Sequence, residues 1–486
     1  MNITKKLLSA ALSVFLLAGL ISGCSSDDSA VKLNPKNPVT ITVWHYYNGA
    51  VMTAFDELVK EFNESVGVKE GIIIEGNSMG NVSELQAAVL SSAKKEVGSQ
   101  EMPCIFASYA DTAYAAEQLG ILADLDTYFS QQELEEYIPA YIDEGRIGNN
   151  NELKIFPIAK STEILMINET DWHPFVADCG YTYDDLATPE GVAVVAKAYY
   201  EWTDAKTPDI ENDGKAFFGR DAVANMFFIG AKQLDVEIIK VDKGVAAINV
   251  DKQAMRRIWD TYYLPYVSGY FLSAGRYRSD DTKVGDLIAY LGSTSSAMYF
   301  PTDVTVDGNT YPIDAAILPP LVFEGGKSVM VQQGAGMAVT KSTTEKEYAS
   351  AMFLKWFTDT EYNIKFSALS GYMPVKKAAN DYDAFMSVVS ENQIPQDEIS
   401  KRTLEVAFEA VNKSEMYTGK AFGGGMDARA ILNDFLQEKA NADRQTVLDL
   451  IDSGTSYEAA VAQFDTDENF EEWYAELDRR MQATLN

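Results

Sequence analysis

An α/β fold in two lobes is what this sequence predicts, and three observations predict it. Short alternating apolar runs are each followed at once by a segment whose apolar residues recur at helical spacing. That strand-then-helix pattern returns downstream with longer helices, and no solenoid or propeller period replaces it. The 486 residues suffice for about two or three domains with substantial cores. An apolar content of 47%, with no long apolar run after the first segment, predicts a soluble body.

The first 24 residues form a separate unit. Lys5 and Lys6 precede the apolar run Leu7 to Leu20, and Ile21-Ser22-Gly23-Cys24 follows. A basic start, a short apolar core and small residues before a cut describe a secretory signal peptide, too short for a stable span. The cut before a cysteine resembles the bacterial lipobox, with Ile21 where Leu is usual. That resemblance implies residues 1–23 as signal and a lipidated Cys24 opening a flexible tether, 24–38, which carries Ser25-Ser26-Asp27-Asp28-Ser29 and then Asn34, Pro35, Asn37 and Pro38. Two acyl chains anchor durably where one does not. The expected protein is exported and touches the membrane through lipid alone.

The folded part begins at residue 39. Val39, Ile41 and Val43 alternate with Thr40 and Thr42 up to Trp44, a period-2 strand, and Val51, Phe55, Leu58, Val59 and Phe62 then mark a helix. Gly71 to Ile74 reads as a second strand, Val82, Leu85 and Val89 as a second helix, Cys104 to Ala107 as a third strand and Asp111 to Leu119 as a third helix. Such alternation predicts βαβ units and a mostly parallel sheet. Further on, Asp185 to Trp202, Phe217 to Leu234 and Asp251 to Tyr263 read as helices. Val339 to Thr358 reads as a strand and a helix opened by a capping box, Ser342 with Glu345, with Tyr348, Met352 and Trp356 on one face. The tail from Asp427 is helical in pattern, and Phe470, Trp473, Tyr474 and Leu477 form a stripe expected to pack in a core.

Composition removes several function classes. Net charge is −32, and near −34 once Lys5 and Lys6 leave with the signal, so nucleic acid and anionic membrane surfaces are excluded as partners. The acidic excess reads as a solvated exterior. Only His45 and His173 occur, with no metal-ligand spacing and no nucleophile elbow, so metal and serine hydrolysis lack their parts and no cofactor is expected. Asp209-x-Glu211-x-Asp213-Gly214 opens like a calcium loop, but position 12 is Arg220, and the segment reads as an acidic turn. Cys104 and Cys179 are expected to be free and buried.

Two α/β lobes leave a cleft, and sheets of this kind bind ligands beyond the carboxyl ends of their strands. The loops there are Trp44-His45-Tyr46-Tyr47-Asn48-Gly49 and Ser108-Tyr109-Ala110-Asp111. Aromatic faces beside amide, hydroxyl and carboxylate groups suit a polyhydroxylated ligand, whose C–H faces lie on rings while its hydroxyls exchange hydrogen bonds.

These blocks carry a resemblance. Ile41 to Tyr47 with Glu61-Phe62-Asn63, Pro103-Cys104-Ile105 through Asp111, and Phe156-Pro157 through Ile167-Asn168 are similar to extracellular solute-binding proteins of family 1. So are Ser296 to Phe300, Gly334 to Val339, Phe353 to Phe357 and Gly371 to Val375. Cys104 stands where Asp is usual, and Ile167 where Tyr is usual. The resemblance spans nearly the whole mature chain. It implies a periplasmic-binding-protein-like fold of type II with two discontinuous α/β lobes: 39–157 in the first lobe, 158–320 in the second, 321–374 back in the first and 375–486 as the helical remainder of the second.

It also implies a monomeric receptor that closes on a small solute, most simply a sugar or oligosaccharide, and delivers it to the permease subunits of an ABC importer. Carried onto this chain, the ligand contacts are Trp44, Tyr46 or Tyr47, Ser108, Tyr109, Asp111, Ser161, Thr162, Tyr299, Phe300 and Gly334 or Gly336, with Asn81 a weaker candidate. Closure needs a ligand that touches both lobes. Two alternatives stay open. One is a receptor for a glycerol phosphate ester, which needs a cationic cradle where these blocks hold only Lys160. The other is a lipid-anchored glycosidase, which needs two facing carboxylates.

Overall fold

The computed structural model describes residues 31–147, 151–242 and 244–485. Cys24 and the signal segment lie outside the described residues. The first lobe starts with Val39–His45 (β1), where Ile41 and Val43 are fully buried and the intervening threonines are half-buried. Gly49–Phe62 (α1) lays Phe55, Leu58, Val59 and Phe62 on the sheet. Ile72–Ser78 (β2) runs parallel to β1, with Ile41 opposite Ile74. Asn63 pins this turn to the sheet: its side chain accepts from the Ile74 N–H at 2.8 Å and donates to the Ile74 carbonyl at 2.9 Å. Val82–Ala93 (α2) is opened by a capping box of Asn81 and Glu84, which assigns Asn81 to the helix end. Ile105–Ser108 (β3) is buried throughout, and Ala110–Gln118 (α3) follows.

Ile155–Phe156 (β4) closes the first pass, and the chain then crosses to Glu163–Asn168 (β5), whose every residue is buried. The second lobe adds Pro189–Asp204 (α4), Phe218–Arg220 (β6), Val223–Gln233 (α5), Ala289–Ser293 (β7) and Ala315–Leu318 (β8). A second crossing returns to Gly336–Val339 (β9), Thr344–Phe357 (α6) and Thr360–Ser370 (α7). A third leads to Glu398–Lys413 (α8), Gly425–Asp452 (α9) and Asp467–Ala483 (α10). Helix Tyr382–Glu391, past residue 375, still packs on α7.

The two sheets have the orders β2-β1-β3-β9-β4 and β8-β5-β7-β6. In each sheet all strands but one point the same way, as expected, and the exception is a strand at a crossing. β9 runs antiparallel to β3 and to β4, and β5 runs antiparallel to β7 and to β8, because these strands arrive from the other lobe rather than through a βαβ crossover. Each lobe has its own apolar core. The first gathers Phe55, Phe106, Phe353 and Phe357, and the second gathers Trp172, Phe227, Trp259, Trp473 and Leu477.

Four local expectations change. Phe217 to Leu234 is a strand and then a helix, since Phe218 to Arg220 pair in parallel with Ala289 to Leu291 at the sheet edge. The stretch from Asp185 is helical only from Pro189, after a 3-10 turn over Tyr183–Leu186. Thr343, not Ser342, caps α6, accepting from the Lys346 N–H, while Glu347 accepts from the Ser342 N–H. Its buried face is Ala349, Phe353, Leu354 and Phe357, with Trp356 half-buried and stacked on Tyr362 at 4.0 Å. Both cysteines are free, but Cys179 is exposed, because it ends a surface helix where Gly180 turns left-handed.

Candidate functional site

Three strands of chain cross between the lobes side by side. Lys160 exchanges backbone hydrogen bonds with Met373 at 3.0 and 2.6 Å, and Ser161 exchanges them with Gln333 at 3.0 and 2.9 Å. Gly334 sits among them at φ +96°, where a Cβ would stand 2.8 Å from the Ala159 carbonyl oxygen. The Lys160 ammonium is buried and donates to Glu144 at 2.6 Å and to the Gly334 carbonyl at 2.7 Å. Gln332 also donates to Glu144. This polar knot ties the first lobe to the crossing.

Beside it lies a cavity of about 580 Å³ with walls from both lobes. The first lobe supplies Gln86, Tyr109, Asp111 and Thr112, the second supplies Asn225, Phe228, Met426 and Arg429, and Gln332 and Gln333 form the back. A hollow of the same volume between Pro320 and Lys413 is lined largely by the second lobe and the segment leading out of it. The lobes touch at the rim, where Gln86 donates to the Met426 sulfur and Lys420 pairs with Asp143 at 3.1 Å.

One tyrosine, Tyr109, lines the first-lobe wall, and Tyr46 packs against it. The rings of Tyr46 and Tyr109 stack at 6.3 Å and 24°, and Tyr109 is 38% exposed. The Tyr372 hydroxyl engages Tyr46 and also Ser295 of the second lobe. Burial, then the neighbouring Tyr372, push the Tyr109 hydroxyl up to about 12, so it stays a donor at neutral pH. Asp111 lies in the first turn of α3 and against the first turn of α9: its Oδ1 is 2.2 Å from where a Cβ on Gly425 would be, so any larger residue there would push the carboxylate aside. Burial raises its carboxyl to about 6, against the pull of Arg429. Opposite charges thus face each other across the cleft.

Of the residues expected in the site, Tyr46, Tyr109, Asp111 and the 57% exposed Tyr299 stand at the cleft. Trp44 and Tyr47 do not: both belong to the first-lobe core, with Tyr47 set between His45, Phe55 and Phe366. The chain turns its side chains alternately as it leaves β1, so neighbouring aromatics part. Phe300 is likewise buried and stacks on Tyr290 at 5.9 Å. Gly336 pairs with Ser108 inside the sheet, and the Ser108 hydroxyl donates to the Tyr109 carbonyl. Ser161, Thr162 and Gly334 belong to the crossing, with Thr162 fully buried. Tyr372, Gln86, Asn225, Glu144, Met426 and Arg429 were not expected. Tyr372 stood in the Gly371 to Val375 block, and Arg429 follows the triplet Gly423-Gly424-Gly425, which were the available signals.

Among the described residues no group of histidine, cysteine or carboxylates is arranged to hold a metal ion. The Asp209 to Asp213 turn is closed on itself: Asp213 accepts from Thr207 at 2.5 Å, and its N–H donates to Asp204 at 2.8 Å.

Comparison with known proteins agrees with this geometry. The sequence profile of bacterial extracellular solute-binding proteins matches residues 57–394, and the chain belongs to that family. These are binding proteins, not enzymes; they serve ABC importers as solute receptors and act outside the cytoplasm. Among solved structures, the chain is similar to the cyclic alpha-maltosyl-1,6-maltose binding protein of Arthrobacter globiformis, at 17% identity and TM-score 0.67, covering 92% of this chain and 99% of that one. It is similar to UgpB of Mycobacterium tuberculosis, solved with glycerophosphocholine, at 16% identity and TM-score 0.65, covering 92% and 99%. It is also similar to the galacto-N-biose-/lacto-N-biose I-binding protein of Bifidobacterium longum, at 13% identity and TM-score 0.62, covering 92% and 98%. These likenesses establish the periplasmic-binding-protein-like fold. A search of curated sequences found no match. No helix among the described residues is long and apolar enough to cross a membrane.

Proposed function

We propose that this chain is a lipid-anchored, monomeric receptor that holds a sugar or oligosaccharide between its lobes for an ABC importer. The observation that carries the reading is the two-sided cavity. The Tyr109 ring, backed by Tyr46, stands on one wall, and amide, carboxylate and guanidinium groups converge from the two lobes. A polyhydroxylated ring meets apolar faces and directional polar groups in such a site. A ligand bridging Tyr109 and Arg429 would favour the closed form by its contacts to both lobes.

A glycerol phosphate ester is the rival that a specific observation supports, since Arg429 puts a cation in the cavity. The lining also carries Asp111, Glu144 and Asp434 against Arg429 and Lys420, a net negative wall that opposes an anion. A thermal-shift comparison with maltotriose, lacto-N-biose and glycerophosphocholine separates the two. At a hundredfold excess over Kd a true ligand adds about 2.7 kcal/mol to stability. A shift with glycerophosphocholine and none with either sugar would overturn the carbohydrate reading. For the anchor, Cys24→Ala should release the protein from the membrane fraction, and retention would count against lipidation.

A further inference from the structure

From the cavity residue Arg429 a polar chain runs back through Asn225 into the buried interior of the second lobe, to residues that do not line the cavity. Arg220 on β6 donates to Glu163 on β5 at 3.0 Å, and the other oxygen of Glu163 accepts from Asn225 on α5 at 2.9 Å. The Asn225 amide oxygen in turn accepts from Arg429 on α9 at 2.9 Å. Asn225 is 1% exposed, Glu163 4% and Arg220 8%, whereas Arg429 is exposed. Four elements contribute one residue each.

This chain is a poor device for stability. A buried ion pair roughly balances its desolvation cost at best, and here the Arg220 Nε finds no hydrogen-bond partner. It is a good device for orientation. A carboxylate only accepts, so Glu163 forces the Asn225 NH2 inward and its carbonyl oxygen outward. That oxygen takes one N–H of Arg429, whose guanidinium carbon lies 6.0 Å from the Phe228 ring centroid. The remaining guanidinium donors are left for the cavity that Arg429 lines with Asp111.

We infer that Arg429 is a solute-contacting, specificity-determining residue and that Asn225, Glu163 and Arg220 are positioning residues that aim it. Resting on the carbohydrate reading, the inference names the chemistry selected: an oxygen pair on a neutral polyol. One oxygen accepts from Arg429 while a hydroxyl donates to Asp111. A phosphodiester satisfies Arg429 but confronts Asp111.

The test uses the full chain and the variants Arg429→Gln, Arg429→Lys and Asn225→Leu. Maltotriose and lacto-N-biose are titrated by calorimetry beside glycerophosphocholine, and Tm is recorded for each variant. Loss of one charge-assisted hydrogen bond predicts sugar binding weaker by at least about tenfold in Arg429→Gln and Asn225→Leu. Arg429→Lys should recover little, because a lysine cannot give a donor to Asn225 and another to solute in the same fixed plane. Wild-type sugar affinity in Arg429→Gln overturns the inference and leaves the carbohydrate reading standing. Binding of glycerophosphocholine alone overturns both.

A solute-free readout covers the remaining case. The guanidinium nitrogen signals of Arg429, assigned by their loss in Arg429→Gln, should be separate in wild type and merged in Asn225→Leu. Identical spectra, or merged signals already in wild type, refute the positioning role whatever the solute. Arg429 is exposed, and the Tm reports whether Arg429→Gln stays folded, so the binding arm holds even where Asn225→Leu unfolds.

Discussion

His45 makes the stability of the first lobe depend on pH, with a sign and a size that follow from its position. It ends β1 at 1% exposure, with its ring 4.8 Å from Phe55 and stacked on Tyr47 at 5.1 Å. Its Nδ1 accepts the Tyr47 N–H at 3.2 Å, which fixes a neutral ring. Burial lowers its pKa from 6.5 to about 4. The unfolded chain therefore binds a proton that the native ring refuses in this interval, so stability is lost as pH falls from 6.5 towards 4. Between pH 7.5 and 5.0 these values give a loss of about 2 kcal/mol. The assay is urea unfolding of wild type and His45→Asn at both pH values. The asparagine keeps an acceptor for Tyr47 and removes the titration, and its constant packing defect cancels in the pH difference. The variant should lose about 2 kcal/mol less than wild type on acidification. An equal loss in both proteins would refute the argument.

Asp111 works in the opposite sense: its carboxyl is raised from 3.8 to about 6, so its cost is present above pH 6 and fades as pH falls through that range. Asp111→Asn should be more stable than wild type at pH 7.5, by about 1–3 kcal/mol in urea unfolding, with the gap closing by pH 4; a gap that widens in acid contradicts this. Lys160→Met leaves Glu144 buried without its cation and should cost about 3–5 kcal/mol by denaturant unfolding, whereas a loss under 1 kcal/mol would show the pair is dispensable. Gly334→Ala forces a Cβ against the Ala159 carbonyl at φ +96° and should lower stability by at least about 1 kcal/mol; an unchanged Tm would argue against a strained crossing. Alkylation under native conditions, read by peptide mass spectrometry, should label Cys179 and spare the 7% exposed Cys104, and equal labelling would contradict the burial of β3.

Much of the fold was legible in the chain because its signals are local. The alternation of Val39 to Trp44, the spacing of Phe55, Leu58 and Phe62, and the stripe of Phe470, Trp473 and Leu477 each state a period within a few residues. The same locality explains the misses. Phe217 and Phe218 run on towards the apolar helix that begins at Val223, and only pairing with Ala289 to Leu291 makes Phe218 to Arg220 a strand. Trp44 and Tyr47 share a loop with Tyr46, yet sequence adjacency does not say which ring turns to the core.

The chain by itself thus determined the α/β class, the alternating elements, the family resemblance and two of the cleft loops, since short-range periods and quoted blocks carry them. Tertiary structure decided the mixed sheet directions, the three-stranded crossing around Gly334 and the partners of Asp111. Arg429 lies 318 residues from Asp111 in sequence and meets it only where α9 packs over the first lobe, with Gly425 against the Asp111 carboxylate. A contact across a cleft is set by the packing of two separate cores, and no local pattern of residues encodes that distance.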